Sequence, residues 1–177
     1  ISQLNARLQL TEAKKANGIL SETLEYAHET GQMKSIHTDT ISGGSQRHRI
    51  DYEYDDFGNL NLQEVENIVD GQVVLSSESY NYDDLHRLLS TSQVIDGVST
   101  SIGFSYDAVG NILSKGDYGY DYTYGDATRN INNAGPNAVV SLTKNTGGTA
   151  AYAYDLNGNM LSGDGKSLTY NAFNKPL

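Results

Sequence analysis

Four clear copies of one short pattern punctuate this chain, and a recurring unit limits the fold more than any composition does. The copies are Tyr52-Glu53-Tyr54-Asp55-Asp56-Phe57-Gly58-Asn59-Leu60, Tyr80-Asn81-Tyr82-Asp83-Asp84-Leu85-His86-Arg87-Leu88, Phe104-Ser105-Tyr106-Asp107-Ala108-Val109-Gly110-Asn111-Ile112 and Tyr152-Ala153-Tyr154-Asp155-Leu156-Asn157-Gly158-Asn159-Met160. Each reads aromatic-x-Tyr-Asp-x-x-Gly-Asn-aliphatic, with exceptions that keep its physics. Aromatic residues at i and i+2 share one face of a β-strand. The Asp opens a tight turn, where its carboxylate accepts from the backbone N–H two residues on. The Gly suits the left-handed position after a type I turn, the start of a G1 bulge in a hairpin. The aliphatic residue begins the return strand.

In the second copy His86 stands at the Gly position, and a degenerate copy through Tyr170-Asn171-Ala172-Phe173 ends on Asn174. Asn and His are among the non-glycine residues enriched at positive φ, so both can make the bend. A faint copy lies at Glu25-Tyr26-Ala27-His28-Glu29-Thr30-Gly31-Gln32-Met33. The final tyrosines Tyr54, Tyr82, Tyr106 and Tyr154 are 28, 24 and 48 residues apart. A second set of turn signals falls between the copies: Gly43-Gly44, Asp70-Gly71, Asp96-Gly97, Gly116-Asp117, residues 145–148 and Gly163-Asp164-Gly165. The chain therefore reverses about every dozen residues, leaving strands of roughly 6 to 10 residues. The reading is all-β: an extended antiparallel strip of hairpin repeats, turned at opposite edges.

Composition agrees with a sheet of tight turns and amphipathic aromatic faces. There are 18 Gly against 2 Pro, and 13 Tyr against 3 Phe and no Trp. A net charge of −10 argues against a nucleic-acid or anionic-membrane partner, and Arg47-His48-Arg49 is too small a basic knot to reverse it. Without Cys, disulfides and thiol chemistry are excluded. No apolar run reaches the ~18 residues of a membrane-spanning helix. The chain opens without Met or a signal-like segment and stops at Lys175-Pro176-Leu177 in mid-motif, as a stretch of a larger protein would.

Leu4, Ala6, Leu8 and Leu10 alternate with polar residues and predict a strand, while Ala13-Lys14-Lys15-Ala16 is the one helix-friendly patch. Tyr118, Tyr120, Tyr122 and Tyr124 predict four aromatics on one side of a strand. Such a strip packs against neighbouring aromatics or, alternatively, binds sugar rings. Residues 128–136 read as an exposed Asn-rich loop.

No catalytic, cofactor or metal constellation emerges. Gly165-Lys166-Ser167 resembles the end of a phosphate-binding loop, but Met160 stands where its first Gly belongs. Asp155-Leu156-Asn157-Gly158-Asn159 imitates a calcium loop, yet Met160 and Lys166 occupy the required Gly and Glu positions. His28, His37, His48 and His86 lack zinc-ligand spacing. The acids Asp55-Asp56 and Asp83-Asp84 double as turn formers, which weighs against a hydrolytic pair.

The Tyr-x-Tyr-Asp-x-x-Gly-Asn-Leu units resemble the YD repeats of RHS-repeat proteins. Tyr122-Thr123-Tyr124-Gly125-Asp126 followed by Ala134-Gly135-Pro136-Asn137-Ala138-Val139-Val140-Ser141, together with residues 154–160 and Leu168-Thr169-Tyr170-Asn171-Ala172-Phe173-Asn174-Lys175-Pro176, resembles the segment that bacterial members carry late in the repeat region. The resemblance covers residues 46–177, with 1–45 a degenerate repeat or flanking β segment. It implies a β-strip that spirals into a hollow shell, as in bacterial ABC toxin complexes and RHS polymorphic toxins. There the shell encloses a toxic C-terminal effector for secretion and delivery. It implies no enzyme, no cofactor and no metal, and a secreted bacterial location. The implied partners are neighbouring repeats and the enclosed effector, with no nucleic acid and no membrane span. The self-cleaving segment of bacterial members is absent. The implied structural turns use Tyr52, Tyr54, Asp55 and Gly58; Tyr80, Tyr82, Asp83 and His86; Phe104, Tyr106, Asp107 and Gly110; and Tyr152, Tyr154, Asp155 and Gly158. The alternative function is an extracellular adhesion module that binds carbohydrate or a cell surface through exposed tyrosines.

Overall fold

A computed structural model describes residues 2–42 and 46–177, so the turn expected at Gly43-Gly44 lies outside the described residues. The strands are β1 (Gln3–Leu4), β2 (Leu10–Lys15), β3 (Leu20–Tyr26), β4 (Met33–Thr40), β5 (Gln46–Tyr54), β6 (Leu60–Val69), β7 (Gln72–Tyr82), β8 (Leu88–Ile95), β9 (Val98–Tyr106), β10 (Ile112–Lys115), β11 (Gly119–Tyr124), β12 (Val139–Lys144), β13 (Thr149–Tyr154), β14 (Met160–Gly163) and β15 (Lys166–Ser167). They hydrogen-bond in chain order, each antiparallel to the next where the register is defined. Two compact units divide the chain, Ile1–Ser101 and Ile102–Leu177.

In the first unit the register explains which side chains meet. Leu24 faces Ile36, Ile36 faces Ile50 and Ile50 faces Val65, so one face carries an apolar row across β3 to β6. Alternation puts Arg49, Glu66 and Leu75, paired in sequence across β5, β6 and β7, on the other face. Among the described residues only Leu24, Ala134, Leu142 and Ala150 are fully buried apolar side chains. So sparse a core follows from sheet without a covering layer, since the one helical segment among the described residues is the short 3₁₀ turn Ala16–Gly18. Stability must come from the ladder, from cross-strand pairs and from the turns.

Three local expectations change. Leu4 to Leu10 is not one strand: the chain turns at residues 5–8, and Leu8 takes φ 62° with its side chain 80% exposed. Ala13–Ala16 forms no α-helix, because β2 continues to Lys15 and Ala16–Gly18 is a 3₁₀ turn leading back to β3. The four tyrosines in and beside β11 do not share a side. Asp121 takes φ 53° and the pairing with β12 slips between Tyr120 and Thr123, a bulge that shifts facing by one residue. Tyr120 is 46% exposed, whereas Tyr118, Tyr122 and Tyr124 are half-buried.

The connection from β11 to β12 is mostly exposed but anchored. Asn132 and Asn133 donate through Nδ2 to the carbonyls of Tyr152 and Tyr154 at 3.0 and 2.9 Å, and Ala134 is fully buried. Gly125 makes that possible, because any Cβ there would collide with the Ala134 carbonyl.

Candidate functional site: the repeated corners

The best-defined polar constellation is the corner after each Tyr-Asp pair. At Asp55 the backbone N–H donates to the Asn59 carbonyl at 2.9 Å, and Gly58 N–H donates to the Asp55 carbonyl at 3.0 Å. One carboxylate oxygen accepts from Phe57 N–H (3.0 Å) and Asn59 N–H (2.8 Å), while the other accepts from Asn59 Nδ2 (2.8 Å). Asp107 with Val109 and Asn111, and Asp155 with Asn157 and Asn159, repeat this arrangement. At Asp83 the backbone donors are Leu85 and Arg87, and Arg87 Nε at 2.7 Å replaces the Asn amide. Gly58, Gly110 and Gly158 have φ of 88°, 96° and 88°, and His86 takes 60° in the same place.

These donors hold the carboxylates below their usual pKa range. For Asp55 and Asp155 the largest cause is the side-chain amide of Asn59 or Asn159, and for Asp83 it is the Arg87 backbone N–H. Partial desolvation is the largest influence on Asp107 and pushes it up, but the donors from Asn111, Val109 and Gly110 together outweigh it. Each carboxylate thus has both oxygens engaged inside its own corner. Asp55 and Asp83 both line a shallow cavity of about 390 Å³ together with Tyr80, Tyr82 and His86, but each carboxylate is bonded to the donors of its own corner.

Five tyrosines that each precede a bend have a polar task as well, Tyr82 and Tyr154 among them directly before an Asp. Tyr26, Tyr82, Tyr124, Tyr154 and Tyr170 donate their hydroxyls to the carbonyls of Leu10, Leu60, Ile112, Val139 and Met160, at 2.6 to 3.1 Å. All five acceptors are the residue that opens a strand, β2, β6, β10, β12 and β14 in turn. The aromatic two residues earlier has no single partner: Tyr152 bonds to the Tyr118 hydroxyl, Tyr80 to Glu78, and Phe104 fills that place in the third copy. Burial raises Tyr82, Tyr124 and Tyr154 above the ordinary phenol value; for Tyr80, burial with Glu78 beside it pushes the pKa up to about 12.

One corner, at Asn5, went unrecognised in the sequence, and those at Asn171 and at residues 27–32 were legible there only as a degenerate and a faint copy. Asn5 stands where Asp stands elsewhere, accepting from Arg7 N–H (2.9 Å) and Gln9 N–H (3.1 Å). Asn171 does the same with Phe173 (2.9 Å) and Lys175 (3.2 Å). At residues 27–32 Ala27 supplies no side-chain acceptor, and the bend closes through Gly31 N–H to Ala27 O at 2.8 Å. The missed signal for the carboxylate clamp was the Asn recurring directly after the Gly.

Neighbouring corners also touch. Gln32 Nε2 donates to Gly58 O at 3.2 Å, Asn59 Nδ2 meets His86 Nδ1 at 2.9 Å, and the Phe57 and His86 rings stand edge to face at 5.0 Å. In the second unit Arg129 donates to Leu156 O and Asn159 to Asn174 Oδ1. The Asp-Gly turns at the other ends of the strands have both residues at positive φ: 51° and 78° at Asp70-Gly71, 49° and 78° at Asp96-Gly97, 46° and 76° at Asp164-Gly165. That is the type I′ hairpin.

A further cluster clamps the last of these turns. Tyr118 donates to Asp164 Oδ2 (3.0 Å) and accepts from the Tyr152 hydroxyl (2.9 Å), while Lys144 Nζ reaches Asp164 Oδ1 at 2.9 Å. Lys144 and then Tyr118 lower the Asp164 pKa, and the Tyr152 contact, burial and Asp164 raise Tyr118. Among the described residues no group of three or more His, Cys, Asp or Glu is placed to hold a metal. Nor is any described helix long and apolar enough to cross a membrane.

An antiparallel meander turned by a repeated Asp corner defines an all-β repeat strip. In that fold the chain resembles parts of Tc toxin structures. The crystal structure of TcdB2-TccC3-Cdc42 matches over 99% of this chain at 14% identity with a TM-score of 0.66. The crystal structure of TcdB2-TccC3 and a Photorhabdus luminescens Tc holotoxin pore with a substituted TccC3 each match 99% at 14% identity, with TM-scores of 0.67. This chain spans only 9 to 10% of the length of those chains. No protein-family model and no curated protein sequence matches it. The likeness to bacterial toxin-complex chains drawn from the motifs therefore holds in three dimensions, at the level of fold.

Proposed function

We propose that this chain is a non-enzymatic wall segment of a secreted bacterial toxin of the RHS type. Its strip continues into neighbouring repeats, and together they form a shell around a C-terminal effector. Residues 1–45 belong to that strip as degenerate repeats, and 46–177 carry the recognisable motifs. The observation that carries this reading is the fold match over 99% of the chain to TcdB2-TccC3 structures. It is supported by corners whose carboxylates are committed to their own backbone. Containment then needs no reactive group: paired strands form the wall, and the corners keep strand edges in register.

The test is limited proteolysis of the intact polypeptide that carries this strip. A domain following the repeats should resist digestion until the strip itself is cut, whereas ready digestion beside an intact strip would remove the containment role. Carbohydrate binding would need a strip of exposed tyrosines, and of the four in and beside β11 only Tyr120 is exposed.

A further inference from the structure

Strands β5 to β8 enclose a depression of about 650 Å³ on the face opposite Tyr52 and Tyr80. Register builds it from two rows. One runs Asp51, Glu64, Ser77, Val94 across the four strands, and the other runs Arg49, Glu66, Leu75. The short Ser77 leaves the middle low between longer neighbours.

The charges here do not cancel. Arg49 is held by Asp51 through Nε at 2.6 Å and a second nitrogen at 3.0 Å. Glu66 accepts from the neutral amide of Gln46 at 2.8 Å and stands opposite Arg49, whose guanidinium is hydrogen-bonded to Asp51. The carboxylates of Glu64 and Asp96 make no hydrogen bond or ion pair with the described residues. Beside these acids Val73 and Leu75 are 57% and 59% exposed, and Val94 is half-buried. A ligand covering the site must therefore lay hydrocarbon on the valines and leucine and bring cations to the carboxylates. Lysine and arginine side chains do both, with an aliphatic stem and a charged head. Glu64 and Glu66 lie two apart on one strand, a spacing of about 6.6–6.8 Å that alternate residues of an extended peptide also have.

We propose that this depression binds an extended peptide segment with lysine or arginine at every second residue, whose aliphatic stems cover Val73 and Leu75 while their cations meet Glu64 and Glu66. The site stands on charge complementarity and exposed apolar area, whether or not the strip walls a shell. Anisotropy titration of a short labelled peptide alternating Lys with Val tests it, with Glu-Val and Ser-Val peptides as comparators. The Lys-Val peptide should bind and the others should not. Combining Glu64→Gln, Glu66→Gln and Asp96→Asn should weaken binding at least about tenfold, a change of ~1.4 kcal/mol. Leu75→Ser should weaken it with the charges intact. Removing the same charge elsewhere, by Glu12→Gln, Glu29→Gln and Asp121→Asn, should leave affinity within about twofold, which separates the site from general attraction to an acidic chain. Equal weakening by the two triple variants, or no effect of either triple or of Leu75→Ser, overturns the proposal. Glu64→Gln alone, a half-exposed change outside every corner, gives the same discrimination if the triple variant fails to fold.

Discussion

At the scale of the residue, the abundance of Tyr over Phe has a cause in hydroxyl geometry. The Tyr82 hydroxyl reaches the Leu60 carbonyl at 2.8 Å, a contact spanning 22 residues. Removing one such bond costs about 1 kcal/mol. Tyr82→Phe should therefore lower the melting temperature by about 2–4 °C. Tyr52→Phe should leave it unmoved, because the Tyr52 hydroxyl makes no such bond. Thermal melts of the two variants check the contrast. Leu8 gives the opposite sign: it holds φ 62° with an exposed side chain, a conformation that disfavours any residue with a Cβ. Leu8→Gly should raise stability by about 1 kcal/mol, less the small entropy that glycine loses on folding. A lower melting temperature for Leu8→Gly would show that the Asn5 corner is not as described. The same residue explains why that corner was hidden: Leu8 continued an apolar alternation that reads as strand, and nothing in the local pattern reports its backbone angle.

At the scale of the element, the recurring Asp-to-Gly segments and the Asp-Gly dipeptides were legible because each acts within five residues of itself. What depended on pairing was not. The bulge at Asp121, which separates Tyr120 from Tyr122, exists only in the register of β11 on β12. Burial of Ala134 needs the close approach of Gly125, and the charged depression needs four strands in alignment. Gly163 is a further case, since a Cβ there would enter the Tyr152 ring although its φ is unremarkable for any residue. Gly163→Ala should destabilise by about 1–3 kcal/mol through overpacking. In a Tyr152→Ala background that loss should largely vanish, because the colliding ring is gone. Denaturant midpoints of the two single variants and the double variant measure the coupling, and additive losses would refute the steric cause.

At the scale of the whole molecule, six carboxylates, Asp55, Asp83, Asp107, Asp126, Asp155 and Asp164, share a lowered pKa because donors surround each one. The folded chain therefore binds these protons less readily than the unfolded chain, and stability rises with pH. The contribution is complete above the unfolded carboxylate value of about 4 and is lost as pH falls through the lower folded values. Melting temperature should change little through these groups from neutral pH to about 5 and drop steeply below about 4. Asp155→Asn should soften that drop, as Asn5 and Asn171 already hold corners without a charge. A flat profile down to strong acid would contradict the geometry of the clamps. The account as a whole rests on the acid in each bend serving its own backbone, and amide hydrogen exchange of Asp155→Ala tests this most directly. The amides of Asn157 and Asn159 should lose protection while those of Phe57, Asn59, Val109 and Asn111 keep theirs. Unchanged exchange at Asn157 and Asn159 would contradict it.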